Sequence, residues 1–508
     1  MDQHQAPILD ALAAIERRPV HGFGAPGHHQ GSAVPRELRR LLGRKVFEAD
    51  VITPKGLDDR TESGHVLQRA HEIAAEAWQA DFCRFVTGGS TQSLHVALAA
   101  VARPGDTVLF AANVHKAERS FALAVGLNAV IVPMIVDEDW DIEHGIDPTT
   151  LAATLDRHPE AKAVVLVSPT YFGVTGDIAA LADLCHARGV PLICDAAWGG
   201  AHAFCEGLPH DPLTKGADVA VYSLHKTMGA LTQGSALLAR GELIDRQRLW
   251  MAFELFETTS PSVPILASLD AARRAHALDG ERLWSRTLGT AAVLRKRLAR
   301  IEGVRVFGDA DLPPDAELDA TKVLIDVSAW GVSGYAVDDW LNAEHRVSVG
   351  LSEARHLLAV ISPGTTRGDV RALVRGLADC AKRLADGSLQ LPPAADAPGI
   401  GSLAVRMATD AGAALFGPAE HVPLVQAAGR IAAEMIAPAP PGVPRLVPGQ
   451  TISAAHVTWL CANRDLGAFF LDPTDPTERT IRVVAERPAG ANVSQQEPPP
   501  APVAFGTA

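Results

Sequence analysis

The chain has 508 residues, and this length predicts roughly two to four domains instead of a single core. Its composition, with 47% hydrophobic and 21% charged residues, is typical of globular proteins. A formal net charge of −13 and the lack of a dense Lys/Arg cluster argue against a nucleic-acid-binding protein.

The sequence lacks the usual features of secreted and membrane proteins. The N-terminus has early acidic residues and no basic stretch followed by an apolar one, so we expect no signal peptide. The longest uncharged run, Ser120–Val136, contains Gly126 and Pro133 and is shorter than a membrane-spanning helix. Six cysteines without a C-x-x-C pair argue against a zinc ribbon, a redox motif and a disulfide framework. We therefore expect a cytoplasmic protein that does not bind membranes.

Short apolar runs alternate with amphipathic stretches between about residues 80 and 240. The predicted strands are Thr107–Ala111, Ala129–Val136, Ala163–Val167, Pro191–Cys194, Val219–Tyr222 and Ala236–Ala239. The predicted helices between them include Ser93–Val101, Thr149–Asp156 and Ile178–Arg188. Strands that are apolar throughout and separated by helices are typical of a sheet covered on both faces. We therefore predict an α/β fold with mostly parallel strands.

Further units are predicted along the rest of the chain. A long helix over Pro264–Ile301 leads to a region with strand Lys322–Val327 and helix Arg367–Ala385, which predicts a smaller α+β domain. The stretch LQLPPAADAPGI is typical of a linker, and the Pro-rich end has too few apolar residues to pack. The predicted units are an N-terminal segment (1–50), a large domain (51–270), a small α+β domain (271–388), a linker (389–401), a C-terminal domain (402–485) and a disordered tail (486–508).

A Gly-rich loop, Thr87-Gly88-Gly89-Ser90-Thr91-Gln92-Ser93, precedes one of the predicted helices. Glycines let backbone N–H groups approach an anion, hydroxyls add donors, and a helix N-terminus favours negative charge. The alternative is an ordinary turn with a Ser or Thr N-cap, which is the simpler interpretation of this loop taken alone.

Two polar residues follow predicted strands further along the chain. Asp195 ends an apolar strand, at the edge where open α/β sheets bind ligands, although such an Asp can also cap the next element. Lys226 follows the strand that ends at Tyr222; most lysines are solvated, but a buried amine near a cation or phosphate loses its proton and forms imines. An anion cradle, a strand-end Asp and a strand-end Lys are the groups that pyridoxal 5′-phosphate (PLP) requires. The combination therefore predicts a PLP enzyme with Lys226 holding the aldehyde.

At these residues the chain resembles the fold-type-I ornithine/lysine/arginine decarboxylases of bacteria, in a short form without their N-terminal wing domain. The resemblance runs from about Gly22 to Ile452. It is carried by APGHHQG (25–31), KGLDD (55–59), TGGSTQS (87–93), NVHKA (113–117), SPTYFGVTGD (168–177), CDAAWG (194–199), SLHKTMGALTQGS (223–235), TTSPSVPILASLD (258–270) and PAPPGVPRLVPGQ (438–450). It implies an aspartate-aminotransferase-like large domain, a small α+β domain and a decarboxylase-type C-terminal domain.

The resemblance also implies roles for individual residues. Lys226 would be the catalytic Schiff-base lysine, Asp195 the partner of the ring nitrogen, and His115 the side chain stacked on the ring. The residues that would hold the phosphate are Ser90, Thr91, Ser223 and His225. The segment Thr259–Ser262 would approach the cofactor of a neighbouring subunit, so the resemblance implies at least a homodimer.

The histidines and Trp198 have simpler alternatives. His115 and His225 can be hydrogen-bonded structural residues, and their places beside the cofactor motifs favour a function, more strongly for His115. Trp198 is either core packing or a neighbour of the cofactor. Three histidines near the N-terminus raise the idea of a metal site, but no carboxylate or cysteine lies at a familiar spacing, so we expect no metal. These are His21, His28 and His29.

The implied reaction is decarboxylation of a basic amino acid such as arginine, lysine or ornithine, or of a related side chain, with the proton returned to Cα by Lys226 or His225. The family pattern departs at Ala439 and Gln450, which stand where Tyr and Glu are usual. A neutral Gln450 would forgo a charge-assisted contact to the distal cation of the substrate, which contributes roughly 1.5–3 kcal/mol. The side chain of the substrate is therefore left open.

Other interpretations stay open from the sequence. Transamination, elimination or oxidative decarboxylation-deamination use the same cofactor, although Ser168–Asp177 lacks the Asn-Pro-Thr-Gly pattern of many aminotransferases. A non-catalytic family member is a further alternative, against which the intact Lys226, Asp195 and His115 argue. A phosphate-binding α/β protein of an unrelated type leaves the Asp and the Lys unexplained.

Overall fold

The computed structural model describes residues 1–17, 23–52, 56–471 and 473–486. Up to residue 298, the helices are α1 (Pro7–Arg17), α2 (Arg36–Leu42), α3 (Arg44–Ala49), α4 (Val66–Ala77), α5 (Gly89–Val101), α6 (Lys116–Val125), α7 (Pro148–Arg157), α8 (Ile178–His186), α9 (Leu224–Thr227), α10 (Arg246–Phe256) and α11 (Val263–Leu298). The strands of this part are β1 (Phe82–Val86), β2 (Thr107–Ala111), β3 (Asn128–Val132), β4 (Val136–Asp137), β5 (Ile142–Glu143), β6 (Val164–Val167), β7 (Val174–Thr175), β8 (Leu192–Asp195), β9 (Val219–Tyr222) and β10 (Ser235–Ala239).

A seven-stranded sheet forms the centre of this part, in the order β1-β10-β9-β8-β6-β2-β3. Strands β3, β2, β6, β8 and β9 pair in parallel, and β10 pairs antiparallel with both β9 and β1. Every residue of the five inner strands is buried, because helices cover both faces of the sheet. The prediction of an α/β fold with mostly parallel strands is confirmed.

The predicted elements differ from the observed ones at places with a local cause. Strands over Thr107–Ala111 and Val219–Tyr222 agree at both ends. The strand predicted over Ala129–Val136 ends at Val132, since Pro133 has no backbone N–H to donate to a neighbouring strand. The edge strand β1 was not predicted because Arg84 interrupts its apolar run, and its guanidinium lies 4.4 Å from the centre of the Trp250 ring.

Two smaller units follow the large sheet. The first contains α12 (Gly334–His345), α13 (Arg367–Ala385), β11 (Arg305–Val306), β12 (Glu317–Leu318), β13 (Lys322–Asp326), β14 (Leu351–Ser352) and β15 (His356–Val360), with an antiparallel sheet in the order β11-β13-β15-β14. The second contains α14 (Ala411–Phe416), α15 (Ala454–Asp465), β16 (Ala419–Pro423), β17 (Ala437–Pro438), β18 (Phe470–Leu471) and β19 (Thr480–Val484). Each has its own apolar core, and the limits given above for the domains stay a prediction.

Helix α11 connects the large unit with the small one. Its N-terminal part packs into the core of the large sheet through residues such as Leu266 and Trp284, and its last turns pack into the small core through Leu294 and Leu298. The segment predicted as a linker is held at two points, because the N–H of Ala394 donates to the carbonyl oxygen of Gly331 and the N–H of Ile400 donates to Oδ1 of Asp141. The predicted disordered tail lies almost wholly outside the described residues. Within the described residues, no helix is both long and apolar enough to cross a bilayer.

A buried ion pair on α11 anchors the N-terminal segment. Asp270 and Arg273 are one helical turn apart, 2.7 Å separates Oδ1 from Nη2, and both side chains are 0% exposed. Asp270 also accepts the N–H of Ile8 at 2.9 Å, and Arg273 donates to the carbonyl oxygen of Gln3 at 2.9 Å. Both ends of the pair therefore bind the backbone that leads into α1.

We predict that Arg273→Ala lowers the free energy of unfolding by about 3–5 kcal/mol, because it leaves a buried carboxylate without its partner. The matched control is Arg282→Ala, which removes the pair Asp279–Arg282 at the same spacing on the same helix but in solvent. Denaturant unfolding should show no measurable change for that control. Equal effects of the two substitutions would show that the anchor does not stabilise the fold.

Candidate active site

The candidate site lies at the edge of the large sheet where the parallel strands end. Asp195, the last residue of β8, pairs in register with Val221 of β9, so the turn that follows Tyr222 begins beside the Asp195 turn. The N–H of Ser223 donates to the carbonyl oxygen of Ala197 at 3.3 Å and ties the two turns together. The sheet topology therefore brings Asp195 and Lys226 together, although they are far apart in the chain.

Lys226 is a buried amine in the short helix α9. Its Nζ lies 4.6 Å from the centre of the Trp198 ring, so Trp198 is a neighbour of the reactive amine. Burial lowers the pKa of Lys226 below its usual value, although the charges of Asp195 and Glu118 oppose the change. A larger fraction of this amine is therefore unprotonated near neutral pH than for an exposed lysine.

A second lysine near Trp198 differs from Lys226, because its Nζ lies 5.9 Å from the centre of the Trp198 ring but is fully paired. Lys322 forms an ion pair with Asp319 and donates to the carbonyl oxygen of Trp198 at 3.1 Å, and both side chains of the pair are 1% exposed. Although burial acts in the opposite sense, the Lys322 charge lowers the pKa of Asp319 overall. Within the described residues, Lys226 has no such ion pair. Lys322 is thus a structural cation, and Lys226 keeps its amine available.

Asp195 is 3% exposed and held from one side by the N–H of Ala197, which donates to Oδ1 at 3.0 Å. Burial raises the pKa of Asp195, and the nearby charge of Lys226 together with the Ala197 hydrogen bond opposes that rise. An oriented carboxylate is what a protonated ring nitrogen of PLP requires, and a nearby amine is what its aldehyde requires.

The Gly-rich loop lies next to the lysine loop. The N–H of Gly89, which has φ +79°, donates to the carbonyl oxygen of Gln233 at 2.9 Å, and the hydroxyls of Ser93 and Ser235 are 2.9 Å apart. Ser90 and Thr91 lie in the first turn of α5, with Ser90 half-buried and Thr91 exposed. The Gly-rich loop is therefore hydrogen-bonded to the loop that follows Lys226.

His225 is oriented by the same loop. Its Nδ1 lies 3.0 Å from the carbonyl oxygen of Gly234, so Nδ1 carries the proton and Nε2 is an acceptor in the neutral ring. Burial lowers the pKa of His225. The ring donates to both Gly234 and a phosphate oxygen only when it is protonated, and a phosphate dianion beside it would favour that state.

His115 is placed by the start of α6 and by the third unit. Its Nδ1 accepts the N–H of Ala117 at 3.2 Å, and burial, followed by the charges of Lys226 and Lys116, lowers the pKa of His115 to about 4. The ring is therefore neutral near pH 7. Gly442 lies against it: the N–H of Lys116 donates to the carbonyl oxygen of Gly442 at 2.9 Å.

Several buried polar atoms at this edge have no hydrogen-bond partner within the described protein. Such atoms are costly unless a ligand or water binds them, and here they belong to residues that follow the ends of the parallel strands β2, β6, β8 and β9. They are Asn113 Oδ1, Glu118 Oε1 and Oε2, Tyr171 Oη, Trp198 Nε1, Ser223 Oγ and Thr227 Oγ1. Ser223 Oγ is the hydroxyl that the resemblance assigns to the phosphate. The residues at this edge therefore fit PLP.

The sequence had suggested no role for four of these groups, namely Asn113, Glu118, Tyr171 and Thr227. For Glu118 a signal was present: it shares the helix face of Phe121 and Ala122, both buried, so a charged residue stands on the apolar side of α6. Tyr171 and Thr227 gave no such signal, because a loop Tyr and a Thr after a Lys are ordinary surface residues in a sequence.

Gln450 is buried inside the third unit. It is 0% exposed, its Oε1 accepts the N–H of Val447 at 3.2 Å, and its Nε2 lies 3.0 Å from Nε2 of His456. All of these partners belong to the third unit. The departure from the family pattern at this position is thus a change in packing, and it carries no argument against a basic substrate.

No group of three His, Cys, Asp or Glu side chains that could hold a metal occurs among the described residues. His28 instead lies 3.1 Å from Oδ2 of Asp50. His21 lies outside the described residues.

Comparison with known proteins identifies relatives along nearly the whole chain. The sequence profile described as Orn/Lys/Arg decarboxylase, major domain, matches residues 6–313, and the one described as Orn/Lys/Arg decarboxylase, C-terminal domain, matches residues 403–470. An arginine decarboxylase of Bacillus subtilis (strain 168) is 33% identical over 493 residues, which cover 96% of this chain and 100% of that protein. An arginine decarboxylase of Halalkalibacterium halodurans is 32% identical over 490 residues, 96% of this chain and 99% of that protein.

A solved structure of a lysine decarboxylase of Francisella novicida has the same fold. It superposes with a TM-score of 0.80 at 20% identity, over 94% of this chain and 81% of that chain. The predicted fold class, an α/β fold of the fold-type-I PLP-dependent kind, is confirmed.

We predict that Gly442→Ala impairs the site through His115. A Cβ at Gly442 would lie 2.7 Å from His115 Nε2, so the ring must move, and a shift of this size costs about a hundredfold in turnover. The matched control is Gly429→Ala in the same unit, where φ is +85° instead of +90° and nothing lies within 4 Å of the added atom. Both variants should unfold at similar temperatures, and only Gly442→Ala should lose turnover. Equal turnover in the two variants would contradict the role given to this contact.

Proposed function

The chain belongs to the Orn/Lys/Arg decarboxylase family, and on that premise we propose that its substrate is arginine. The protein is a PLP-dependent decarboxylase of basic amino acids. The choice of arginine is supported by the two relatives named arginine decarboxylase, which align with 96% of this chain at 33% and 32% identity. The observation that carries the chemistry is the unpaired buried amine of Lys226 beside the oriented carboxylate of Asp195.

The roles of the residues follow from their contacts. When bound, PLP supplies an aldehyde for the amine of the substrate and a ring that takes up the electrons left by CO₂. We assign Lys226 to hold that aldehyde, because its amine is buried, free of an ion pair and low in pKa. Asp195 supplies a fixed negative charge to the ring nitrogen, and Ser90, Thr91, Ser223 and His225 hold the phosphate. The neutral ring of His115 covers one face and keeps water from it.

The proton that returns to Cα is assigned to Lys226. Neither ring proton of His225 is directed at the reacting carbon: the Nδ1 proton is donated to the carbonyl oxygen of Gly234, and in the protonated ring the Nε2 proton would be donated to the phosphate. The amine of Lys226 carries several protons and is released when the substrate takes its place. His225 is thus assigned to bind the phosphate, and Lys226 is assigned to return the proton to Cα.

The working enzyme is proposed to be a homodimer in the cytoplasm. Three apolar side chains of α10 are exposed, with Trp250, Met251 and Leu255 at 38%, 60% and 77%. They directly precede Thr259–Ser262, the segment expected to approach the partner's cofactor. Helix α10 ends beside the cradle of its own subunit, since Gln92 Nε2 donates to the carbonyl oxygen of Phe256 at 2.6 Å. An apolar surface next to the site is thus available for a second copy.

We predict that arginine is converted to its amine and CO₂, with kcat/KM at least about tenfold higher than for lysine or ornithine, because its planar guanidinium donates two parallel hydrogen bonds that a terminal ammonium group does not reproduce. Citrulline, which has the length of arginine without its charge, should be a poor substrate. Mass spectrometry of the products decides: a keto acid would contradict decarboxylation, and lysine as the best substrate would contradict the choice of arginine.

The same assay tests the lysine. Lys226→Ala should abolish turnover and the covalent attachment of PLP after borohydride reduction, whereas Lys296→Ala, at an exposed position of α11, should change neither. Full turnover of Lys226→Ala would remove the assignment.

We predict that Leu255→Glu lowers the molar mass in solution from that of a dimer toward that of a monomer, since it places charges in the proposed interface. Leu278→Glu changes an exposed leucine of α11 in the same way and should leave the mass unchanged. Light scattering measures both. A monomeric wild type, or an unchanged dimer of Leu255→Glu, would contradict the placement of the interface on α10.

A further inference from the structure

Glu118 is a buried carboxyl group that none of the roles above uses. It lies in the first turn of α6, three residues after His115, and it is 0% exposed. Within the described residues, neither of its oxygens has a hydrogen-bond partner when the group is ionised. A buried carboxylate in this state is among the costliest groups that a protein can contain.

The adjacent arginine does not neutralise it by an ion pair. Arg119 directs Nη2 at the carbonyl oxygen of Ala111, at 3.5 Å, and its guanidinium lies 5.4 Å from the centre of the Phe110 ring. Arg119 therefore faces the sheet, and Glu118 is left to the groups at the edge of the site.

Those groups are Asp195, Lys226 and Tyr171. Burial, and next the negative charge of Asp195, raise the pKa of Glu118 well above its ordinary value, while Arg119 opposes the rise. A negative charge on Glu118 would in turn favour a higher pKa of Lys226 and of the buried hydroxyl of Tyr171. Glu118 and Asp195 interact through their side chains, and two carboxyl groups in such contact do not both ionise cheaply, whereas one proton shared between them forms a hydrogen bond.

We propose that Glu118 is a positioning residue that stays protonated and donates a hydrogen bond to Asp195. Asp195 is thereby kept ionised and oriented toward the ring nitrogen of PLP. The second half of this statement rests on the function proposed above. The shared proton explains both observations: it gives the buried Glu118 oxygens a partner, and it adds a second hydrogen bond to Asp195 beside the one from the Ala197 N–H. The remaining lone pairs of Asp195 are then left for the cofactor.

The choice of the proton holder follows from the surroundings. Asp195 receives a backbone N–H and lies near the Lys226 charge, and both favour its ionised form. Glu118 has no hydrogen-bond partner among the described residues, and the guanidinium of the adjacent Arg119 is turned toward the carbonyl oxygen of Ala111. The proton of the pair therefore belongs on Glu118.

Two substitutions separate the proton from the bulk of the side chain. Glu118→Gln keeps a donor for Asp195 but cannot ionise, and Glu118→Leu keeps a similar volume without a donor. Glu254→Gln, at an exposed position of α10, is the matched control.

The first measurement uses the cofactor-free protein and does not depend on the proposed function. A folded pKa above the unfolded value near 4.5 means that the stability due to Glu118 is fully present below pH 4.5 and is lost as pH rises toward the folded value. From pH 5 to 8.5 the melting temperature of Glu118→Gln should fall less than that of wild type. The difference corresponds to at most about one proton in the pH dependence of the unfolding free energy. At pH 8.5 Glu118→Gln should melt at a higher temperature than wild type. Glu254→Gln should follow wild type. A Glu118→Gln protein with the wild-type slope would overturn the proposal.

The second measurement is the dissociation constant of PLP. Glu118→Gln should stay within about threefold of wild type, and Glu118→Leu should bind roughly tenfold to a hundredfold more weakly, since a hydrogen bond to a charged group is lost. In an Asp195→Asn background the effect of Glu118→Leu should vanish, because the partner charge is gone. Undiminished affinity of Glu118→Leu would overturn the positioning role. A wild type that takes up no PLP would contradict the proposed function instead, and the slope measurement would still decide where the proton lies.

Discussion

The site depends on charges that are held at the edge of a buried sheet without full compensation. An amine at position 226 and carboxyl groups at 195 and 118 lie where water is excluded, and each is far from its ordinary protonation behaviour. The fold tolerates them because the rest of the sheet supplies a large apolar core around them. The contrast with Lys322, which is 1% exposed and paired with Asp319, shows that burial alone is not the distinguishing feature. The distinguishing feature is an ionisable group that has no ion-pair partner within the described protein.

The parallel topology explains why these groups meet. Strands that run in the same direction end at the same edge, so the turns after β8 and β9 lie side by side and carry Asp195 and Lys226 to one place. The antiparallel strand β10 begins at this edge, and its leading loop ties Gly89 and His225 to the same region. The residues of the site are far apart in the sequence, but they lie together at one edge of the sheet.

The third unit contributes to the site from outside the large sheet. Gly442 approaches His115 so closely that a side chain at that position would collide with the ring, and its carbonyl oxygen accepts the N–H of Lys116. The loop that carries this glycine begins beside β17 and so is positioned by the core of the third unit. The C-terminal unit thus supports the position of His115. Gln450, at the end of the same motif, is hydrogen-bonded to Val447 and His456 inside that unit.

The sequence by itself determined the local features. Apolar runs and their spacing gave the α/β class and most inner strands, and the ordered set of motifs around Thr87, Asp195 and Lys226 gave the cofactor and the family, because short-range patterns record both. Tertiary structure alone decided what depends on approach between distant segments. It placed Glu118 beside Asp195, Trp198 against Lys226 and Gly442 against His115, and it gave β1 its place at the sheet edge despite Arg84. Burial and the pKa of a side chain are properties of its surroundings, and a linear pattern does not contain those surroundings.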